Sequence, residues 1–302
     1  MDGLILIVFA GYGKGAGKQV TVNWQDGYVK TNGLEIHYYR TGGGLPQVVL
    51  NHGALDDGRC WPRVVRALED EYDLIMPDAR GHGMSDDGAG VYTAEARAGD
   101  LIGLIEALAL EKPVVGGHSI GGVTSLYTAA MRPDLIAGFF MEDPPITRPG
   151  EPLFGGQPVK DNQVPIKRLT KAWRLIKAAP EFISLPLIKR LIPSATPEVI
   201  ESWLESKKLV SEDFIQALAD PEWLAIDVDE GLLHEIQSPA MLIYGDRDKG
   251  AIVSEFVAES VQERIEELRV VHLAGATHDI RRTQFDGYLA AIRDFLHIVW
   301  EL

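Results

Sequence analysis

Residues 113–122 read PVVGGHSIGG, a short apolar segment that runs into a glycine-rich turn around Ser119. Residues 117–121 fit the pattern G-x-S-x-G, and a segment of helical periodicity, Ile120–Met131, follows at once. Such a strand-to-helix turn is tight, so that a side chain at either glycine would clash with the backbone. The turn lifts the serine hydroxyl clear of the sheet, at the positive end of the next helix. The stretch therefore predicts a nucleophilic serine, Ser119, between a strand and a helix.

On both sides of this turn, short apolar runs alternate with longer segments of helical period. Alternation of this kind predicts an α/β fold with a doubly wound, mostly parallel sheet. The segment 28–42, YVKTNGLEIHYYRTG, predicts an antiparallel hairpin at one edge of that sheet. The predicted strands are Leu34–Tyr39, Val48–Asn51, Asp73–Met76, Pro113–Gly116, Ala137–Met141, Ala240–Tyr244 and Leu268–Leu273.

The alternation stops between residues 146 and 235, where helical segments are separated by prolines and no convincing strand occurs. We therefore predict an α/β core of residues 21–145 and 236–302 and a helical cap of residues 146–235. Ligands of open parallel sheets bind at the carboxyl ends of the strands, so a cap there would wall a pocket. Residues 1–20 are expected to be a flexible extension, because their glycines fit neither a P-loop nor a dinucleotide fingerprint.

The overall charge and composition exclude several classes of function. The 302 residues carry 29 basic and 44 acidic side chains, a net charge of −15, which argues against nucleic-acid binding. The apolar run Leu4–Ala10 is far shorter than the roughly 20 residues of a membrane helix. The single cysteine, Cys60, excludes an internal disulfide and a multi-cysteine metal site. We expect a cytoplasmic protein that uses no metal or cofactor, with a homodimer left open as an alternative to a monomer.

The motifs occur along the chain in the same order as in the α/β-hydrolase family, which the chain resembles over roughly residues 27–302. His52-Gly53 follows one predicted strand, DARGHGMS at 78–85 follows the next, and Gly275-Ala276-Thr277-His278 follows the last. The family carries its cap after the sixth strand, where the helical insertion lies in this chain. Thr277 departs from the family, in which a glycine is more usual at that position. The resemblance implies the α/β-hydrolase fold and the chemistry of a serine hydrolase.

Serine is a poor nucleophile at neutral pH and needs a base. His278 is the best candidate, because it lies in a loop just past the last predicted strand, and this matches the family's order of nucleophile, acid and histidine. Two N–H groups are expected to bind the oxyanion: that of Ile120 and one from the loop after His52-Gly53, most simply that of Ala54. Trp61, farther along that loop, is either the floor of the substrate pocket or a core residue that opens the next helix.

The acid that orients the histidine stays open among four residues. Asp248 lies three residues past Gly245, at the end of the seventh strand, which is the usual position in the family. Glu142 is the rival, because it ends the apolar run of the sixth strand, where a carboxylate needs a partner. The segment there resembles zearalenone-lactone hydrolases, which place the acid after that strand. Asp246 and Asp143 are the remaining candidates.

A serine–histidine–acid triad predicts a cofactor-free hydrolase that cleaves a small-molecule carboxylic ester or lactone through an acyl-enzyme. The same triad supports hydrolysis of carbon–carbon bonds, peracid formation by a perhydrolase, and amide cleavage. Serine rather than aspartate at position 119 argues against the epoxide hydrolase and dehalogenase branches, which form an ester on a carboxylate. The alternative from another class is a small-molecule receptor on a hydrolase scaffold, because a fold does not fix a function.

Overall fold

A computed structural model describes residues 24–148, 151, 153, 170–171, 174–175, 177–180, 182–186, 197–218, 224, 226–227 and 231–301. Residues 1–20, predicted to be a flexible extension, lie outside the described residues. The strands in chain order are β1 (Gln25–Thr31), β2 (Leu34–Arg40), β3 (Gln47–Asn51), β4 (Asp73–Pro77), β5 (Val114–His118), β6 (Gly138–Glu142), β7 (Ile146–Thr147), β8 (Ile226–Asp227), β9 (Ala240–Tyr244) and β10 (Leu268–His272).

Eight of these strands form one sheet in the order β1-β2-β4-β3-β5-β6-β9-β10. β1 and β2 pair antiparallel as a hairpin at one edge, and β2 also runs antiparallel to β4. All the other neighbours in the sheet are parallel. The predicted sheet with its edge hairpin is therefore confirmed. Because β5 lies between β3 and β6, the residue after β5 has the ends of these two strands on either side.

Helices cover both faces of the sheet. Among the helices of the described residues are α1 (Pro62–Leu68), α2 (Ala94–Ala107), α3 (Ile120–Met131), α4 (Pro197–Leu209), α5 (Glu212–Ala217), α6 (Glu255–Arg264), α7 (Ile280–Thr283) and α8 (Phe285–Glu301), of which α4 and α5 lie between β6 and β9. Apolar side chains of α2, α3 and α6 pack on one face together with Val115, and those of α1 and α8 pack on the other together with Val114. Neighbouring residues of a strand point to opposite faces, so these two valines join separate cores. No helix in the described part of the chain is long and apolar enough to cross a membrane.

The segment between β6 and β9 contains the helices α4 and α5. It also contains β7 and β8, which pair with each other in parallel and belong to no larger sheet. The expectation that residues 146–235 hold no strand is wrong at these positions. Two residues are too few to show the alternation from which a strand is predicted.

Candidate active site

Ser119 lies between β5 and α3 with a left-handed backbone, φ 54° and ψ −123°. Residues other than glycine adopt such a conformation at a cost of about 1–3 kcal/mol, and only where the surroundings fix it. Here the N–H of Ser119 donates to the carbonyl of Glu142 at 2.9 Å, and the carbonyl of Ser119 accepts the N–H groups of Gly122 and Val123. The strained turn predicted from G-x-S-x-G is present.

The glycines of this turn leave room for backbone. A Cβ atom on Gly121 would lie 2.2 Å from the carbonyl oxygen of Asn51, and one on Gly117 would lie 2.4 Å from the carbonyl carbon of Gly121. Contacts this short with backbone cannot be relieved by turning a side chain. The end of β3, the turn and the start of α3 can therefore pack together only with glycine at both positions.

We expect Gly121→Ala to lower the free energy of unfolding by about 1–3 kcal/mol or more, because the backbone of β3 must shift. Gly122→Ala is the matched control. A Cβ there would lie 3.1 Å from the carbonyl oxygen of Gly117, a far milder contact, and alanine is favoured over glycine in a helix by about 1 kcal/mol. Denaturant unfolding followed by circular dichroism compares the two variants. Equal stability of Gly121→Ala and wild type would contradict the clash.

His278 follows β10 in the loop that leads to α7, and it forms an ion-pair contact with Asp143. Its Nδ1 lies 2.7 Å from Oδ2 of Asp143, and the two side chains are 14% and 0% exposed. The ring of His278 also lies 4.5 Å, between centroids, from the ring of His118, the residue before Ser119. The fold thus brings the candidate base and an acid to the end of β5.

Asp143 is the residue after β6, and its carboxylate is fixed by backbone as well as by the imidazole. The N–H of Ile252 donates to Oδ2 at 2.8 Å, and the N–H of Val253 donates to Oδ1 at 3.0 Å. The N–H of Asp143 in turn donates to the carbonyl of Ile243 in β9 at 2.8 Å. Three hydrogen bonds to a carboxylate with no exposed surface hold it in one orientation toward His278.

This contact corrects the prediction of the acid. Asp248 is exposed in the short 3₁₀-helix Arg247–Lys249, and the single Nδ1 of His278 is bound by Asp143. Glu142 is buried and accepts the N–H of Arg281 at 2.9 Å, and its side chain also pairs with that guanidinium. Glu142 and Asp143 are consecutive, and only the second of them faces the histidine.

Asp246, another candidate for the acid, binds the loop that carries His278 from its other end. Its Oδ2 accepts the N–H of Gly275 at 2.8 Å, and its Oδ1 contacts Nε2 of His272 at 2.8 Å. The hydrogen bond from Gly275 is the main reason why the pKa of Asp246 lies below its usual value. Asp246 therefore stabilises the start of the histidine loop and does not contact His278 Nδ1.

The pKa of His278 is raised above its usual value of 6.5. Burial by itself would lower this pKa, but the hydrogen bond and the negative charge of Asp143 outweigh it, with smaller contributions from Asp279 and Glu142. A neutral imidazole can accept a proton, whereas an imidazolium cannot. Asp143 thus makes His278 a stronger base and stabilises the imidazolium that forms after proton transfer.

His118 lies next to Ser119, but its ring forms a hydrogen bond to another residue. Its Nε2–H donates to the backbone carbonyl of His278 at 3.1 Å, which fixes the tautomer. Its Nδ1 is buried without a hydrogen-bond partner in the described part of the chain. Burial lowers the pKa of His118 well below its usual value, and the charges of Arg281 and His278 lower it further. His118 is therefore a neutral ring that supports the histidine loop.

The loop after β3 passes directly beside Ser119. A Cβ atom on Gly53 would lie 3.4 Å from Cβ of Ser119 and 2.5 Å from Nδ1 of His118, so the approach requires a glycine. The two amides that follow Ala54 are occupied, that of Leu55 by His82 Nε2 at 3.3 Å and that of residue 56 by the carbonyl of Gly53 at 3.2 Å. Within this loop the N–H of Ala54 remains the candidate oxyanion donor.

The second predicted donor, the N–H of Ile120, belongs to the first turn of α3. The first N–H groups of a helix have no acceptor within it, and the helix dipole is positive at this end. Both features favour a developing negative charge next to Ser119. The two predicted donors therefore belong to the helix that follows Ser119 and to the loop that passes beside it.

Two histidines hold this loop in shape. Nδ1–H of His52 donates to the carbonyl of Gly53 at 2.8 Å, and its Nε2 accepts the N–H of Ala79 at 2.9 Å. His82 accepts the N–H of Leu55, and burial lowers the pKa of His82 to about 3. Both rings therefore act as fixed acceptors, which explains the histidines of the motifs at 52–53 and 78–85.

Trp61 is a core residue, which corrects its prediction as a pocket floor. Its side chain has no exposed surface and packs with α1 and α8, while the guanidinium of Arg281 lies 4.6 Å above its ring. A side chain without accessible surface cannot contact a substrate that enters from solvent. Trp61 instead precedes α1, which was the second alternative.

A group of three or more His, Cys, Asp or Glu side chains that could hold a metal does not occur in the described residues.

Residues 48–291 match the family model described as the alpha/beta hydrolase family. This chain belongs to the alpha/beta hydrolase family. The match covers the turn at Ser119, the loop after β3 and the loop that carries His278. The candidate site therefore lies within the part of the chain that the family model matches.

Relatives within the alpha/beta hydrolase family differ in how much of this chain they match. An epoxide hydrolase of Caballeronia sordidicola is 36% identical over 126 residues, but the match covers only 41% of this chain and 38% of that protein. An N-formylmaleamate deformylase of Pseudomonas putida is 26% identical over 89% of this chain and 96% of its own. The solved structure of an esterase from Thermogutta terrifontis is 28% identical, with a TM-score of 0.67, over 91% of this chain and 99% of its own.

This alpha/beta hydrolase also has a buried group of charges where its core meets α4, which the sequence did not predict. Nζ of Lys207 lies 2.7 Å from Oδ1 of Asp56, and the side chains are 5% and 9% exposed. Nη2 of Arg281 and of Arg282 lie 3.5 and 3.3 Å from the other oxygen of Asp56. The only sequence signal was an acidic pair, Asp56-Asp57, in the loop after His52-Gly53.

Proposed function

We propose that this protein is a serine hydrolase that cleaves a small-molecule carboxylic ester or lactone through an acyl-enzyme on Ser119. The observation that carries the proposal is the contact between His278 Nδ1 and Asp143 beside the left-handed turn of Ser119. A carboxylate bound to Nδ1 of an imidazole favours the tautomer in which Nε2 accepts a proton as a base.

In the first half of the reaction, Oγ of Ser119 bonds to the acyl carbon and its proton passes to Nε2 of His278. The electron pair of the carbonyl bond moves to oxygen, and the N–H groups of Ile120 and Ala54 donate to the resulting oxyanion. When the intermediate collapses, the bond to the leaving oxygen breaks and His278 returns the proton to it. The Nδ1 proton stays on His278 throughout and is donated to Asp143, whose carboxylate balances the charge of the imidazolium.

In the second half, a water molecule takes the place of the leaving group. Nε2 of His278 accepts a proton from the water as its oxygen bonds to the acyl carbon, and the oxyanion again binds to the two N–H groups. Collapse breaks the bond to Oγ of Ser119, which recovers its proton from His278 and releases the acid. No step requires a metal or an organic cofactor.

The esterase from Thermogutta terrifontis supports the ester as the substrate class, because its likeness to this chain extends over nearly the whole of both proteins. The deformylase of Pseudomonas putida favours a second candidate, cleavage of an acyl group from nitrogen, by the same elementary steps. The two candidates differ in the leaving group, which needs more complete protonation by His278 when it is nitrogen.

The epoxide hydrolase likeness covers less than half of this chain, and the nucleophile position holds a serine. A serine hydroxyl that opened an epoxide would form an ether, which water does not cleave under the same catalysis. Both points support the serine branch for this chain. Carbon–carbon bond hydrolysis, peracid formation and a receptor with slow turnover remain the alternatives for a substrate panel to separate.

The test is intact-mass spectrometry after treatment with a fluorophosphonate, which reacts with activated serines by loss of fluoride. We expect one phosphonyl adduct on the wild-type protein and none on Ser119→Ala. Ser125→Ala is the matched control, because Ser125 is buried in α3 and donates to the carbonyl of Gly121. This control variant should be labelled like the wild type.

A folded wild-type protein that takes up no probe would contradict an activated Ser119. Labelled protein is then assayed on p-nitrophenyl esters, lactones and N-acyl amides. Turnover of esters or lactones faster than of amides supports the first candidate, and the reverse order supports the second. Labelling with at most a few turnovers per hour on every compound would indicate a receptor.

A further inference from the structure

The loop that carries Ala54 contains a strained residue. Leu55 has φ 67°, in the left-handed region that branched side chains avoid. Such a backbone persists only where neighbouring contacts fix it. The position of the Ala54 N–H therefore depends on what holds the two ends of the turn formed by residues 53–56.

One contact comes from the core. The N–H of Leu55 donates to His82 Nε2, and the ring of Phe214 in α5 packs edge-on against His82 at 4.1 Å between centroids. This contact fixes the middle of the turn. It leaves the direction of the following residue, Asp56, to be set by other groups.

The other contact comes from α4, in the inserted segment. Lys207 Nζ binds Oδ1 of Asp56 at 2.7 Å, the shortest of the three cation contacts to this carboxylate. Burial would raise the pKa of Asp56, but the charges of Lys207, Arg282 and Arg281 hold it well below its usual value. Asp56 is thus a buried anion, and the position of its carboxylate depends on the positions of these three cations. A shift of Lys207 would move the carboxylate, which is only two residues from Ala54.

The two arginines contact Asp56 at longer distances, and each is also paired with another carboxylate. Nη1 of Arg281 pairs with Glu142 at 3.2 Å, and Nη1 of Arg282 pairs with Asp279 at 3.2 Å. Both belong to α7 and contact Oδ2 of Asp56, whereas Lys207 contacts Oδ1. Without Lys207, Asp56 is drawn toward α7 alone.

We propose that Lys207 is a positioning residue for the oxyanion hole: through Asp56 it fixes the N–H of Ala54, so that the hole is complete only when α4 is seated on the core. This inference rests on the proposed function, because it concerns the oxyanion of the same reaction. It makes α4 of the inserted segment part of the catalytic apparatus.

The chain offers a matched control on the same helix. Glu205 also joins α4 to the core, through Arg59 at 2.8 Å, but its side chain is 60% exposed. An exposed pair of this kind is screened by solvent and contributes little. Glu205→Gln removes a contact between α4 and the core without touching Asp56, whereas Lys207→Met removes the contact to Asp56 at nearly the same length of side chain.

We expect Lys207→Met to lower kcat for p-nitrophenyl acetate about 10²-fold with little change in KM, because a displaced oxyanion donor affects the transition state. Lys207→Arg should recover most of this loss, and Glu205→Gln should match the wild type. A trifluoromethyl ketone, which forms a hemiketal on Ser119 with an oxyanion, should bind Lys207→Met more weakly by the factor lost in kcat/KM. Acetate, the product, should bind both proteins alike.

A double-mutant cycle with Asp56→Asn tests whether Lys207 acts through Asp56. The two losses in kcat should be strongly non-additive, because either substitution breaks the same contact. Hydrogen exchange of the peptide spanning residues 53–57 gives a readout without turnover. Exchange should be faster in Lys207→Met and unchanged in Glu205→Gln.

Three results would overturn the inference. They are additive losses in the cycle, wild-type kcat and exchange in Lys207→Met, and a loss confined to KM, since the last would assign Lys207 to substrate binding. If Asp56→Asn does not fold, the rescue by arginine, the ketone affinity and the exchange rates decide. Failure of the proposed function looks different, because the wild-type protein itself would then take up no fluorophosphonate.

Discussion

Replacement of His278 by alanine is expected to lower kcat for an activated ester about 10⁶-fold. The variant has no group to accept the proton of Ser119 during attack or to return it to the leaving group. His278 is the imidazole that a carboxylate orients, and Asp143 also raises its pKa above 6.5. Steady-state kinetics with p-nitrophenyl acetate, measured at high enzyme concentration, gives the loss directly.

His118→Gln is the control, because this residue is the other imidazole beside Ser119. Its Nε2–H serves the carbonyl of His278, so its loss should cost less than about tenfold, the equivalent of one ordinary hydrogen bond. A His278→Ala protein that kept its activity while His118→Gln lost it would transfer the role of base to His118. Near-UV circular dichroism of both variants would verify that each is folded.

Asp143→Asn is expected to lower kcat about 10⁴-fold, since an amide neither balances the imidazolium nor holds the same tautomer. It should also shift the pH profile. In the wild type, kcat/KM is lost as the pH falls through the pKa of His278, so the midpoint of this acid limb should lie above 6.5. Without the hydrogen bond and charge of Asp143, burial lowers the pKa of His278, and the midpoint should fall.

Asp248→Asn tests the position that the family resemblance favoured. Asp248 is exposed, so this variant should match the wild type in both kcat and the midpoint of the acid limb. If Asp248→Asn lost activity and Asp143→Asn did not, the contact between His278 and Asp143 would have no catalytic meaning. A drop in kcat for Asp143→Asn with an unchanged midpoint would also contradict the electrostatic part of the argument.

Several parts of the site could be predicted because they depend on local geometry. The turn at Ser119 needs glycines at the two positions where a Cβ would lie 2.2–2.4 Å from backbone atoms. The pattern G-x-S-x-G contains both of these glycines, so it predicts the turn. The strands follow the same logic, since a buried parallel strand is a short apolar run whichever strands flank it. The expected positions of the Ser119 turn and of seven strands agree with the structure to within one or two residues.

The acid could not be decided in this way. Glu142 and Asp143 both follow the apolar run of β6, and an acid after a buried strand is a candidate in either position. What separates them is distant in the sequence: the amides of Ile252 and Val253 bind Asp143, while Arg281 binds Glu142. These partners are more than 100 residues away, and no local pattern shows which carboxylate they reach.

Trp61 and Lys207 illustrate the same limit. A tryptophan in a loop before a helix is equally compatible with a pocket floor and with a core, and only its complete burial between α1 and α8 decides. From the sequence alone, Lys207 is indistinguishable from the other charged residues of an amphipathic helix. Its role depends on the placement of α4 over the loop that holds Asp56, 151 residues earlier in the chain.

The sequence by itself determined the parallel α/β sheet and the turn at Ser119, because each follows from contacts between near neighbours or from the order of strands along the chain, and the family resemblance added the α/β-hydrolase fold and His278 as the candidate base. Only the tertiary structure decided that Asp143 orients that histidine and that Lys207 reaches Asp56. Buried charges are placed by whichever opposite charges and amides the fold brings within hydrogen-bond reach. Those pairings depend on the packing of distant segments, which residue spacing does not encode.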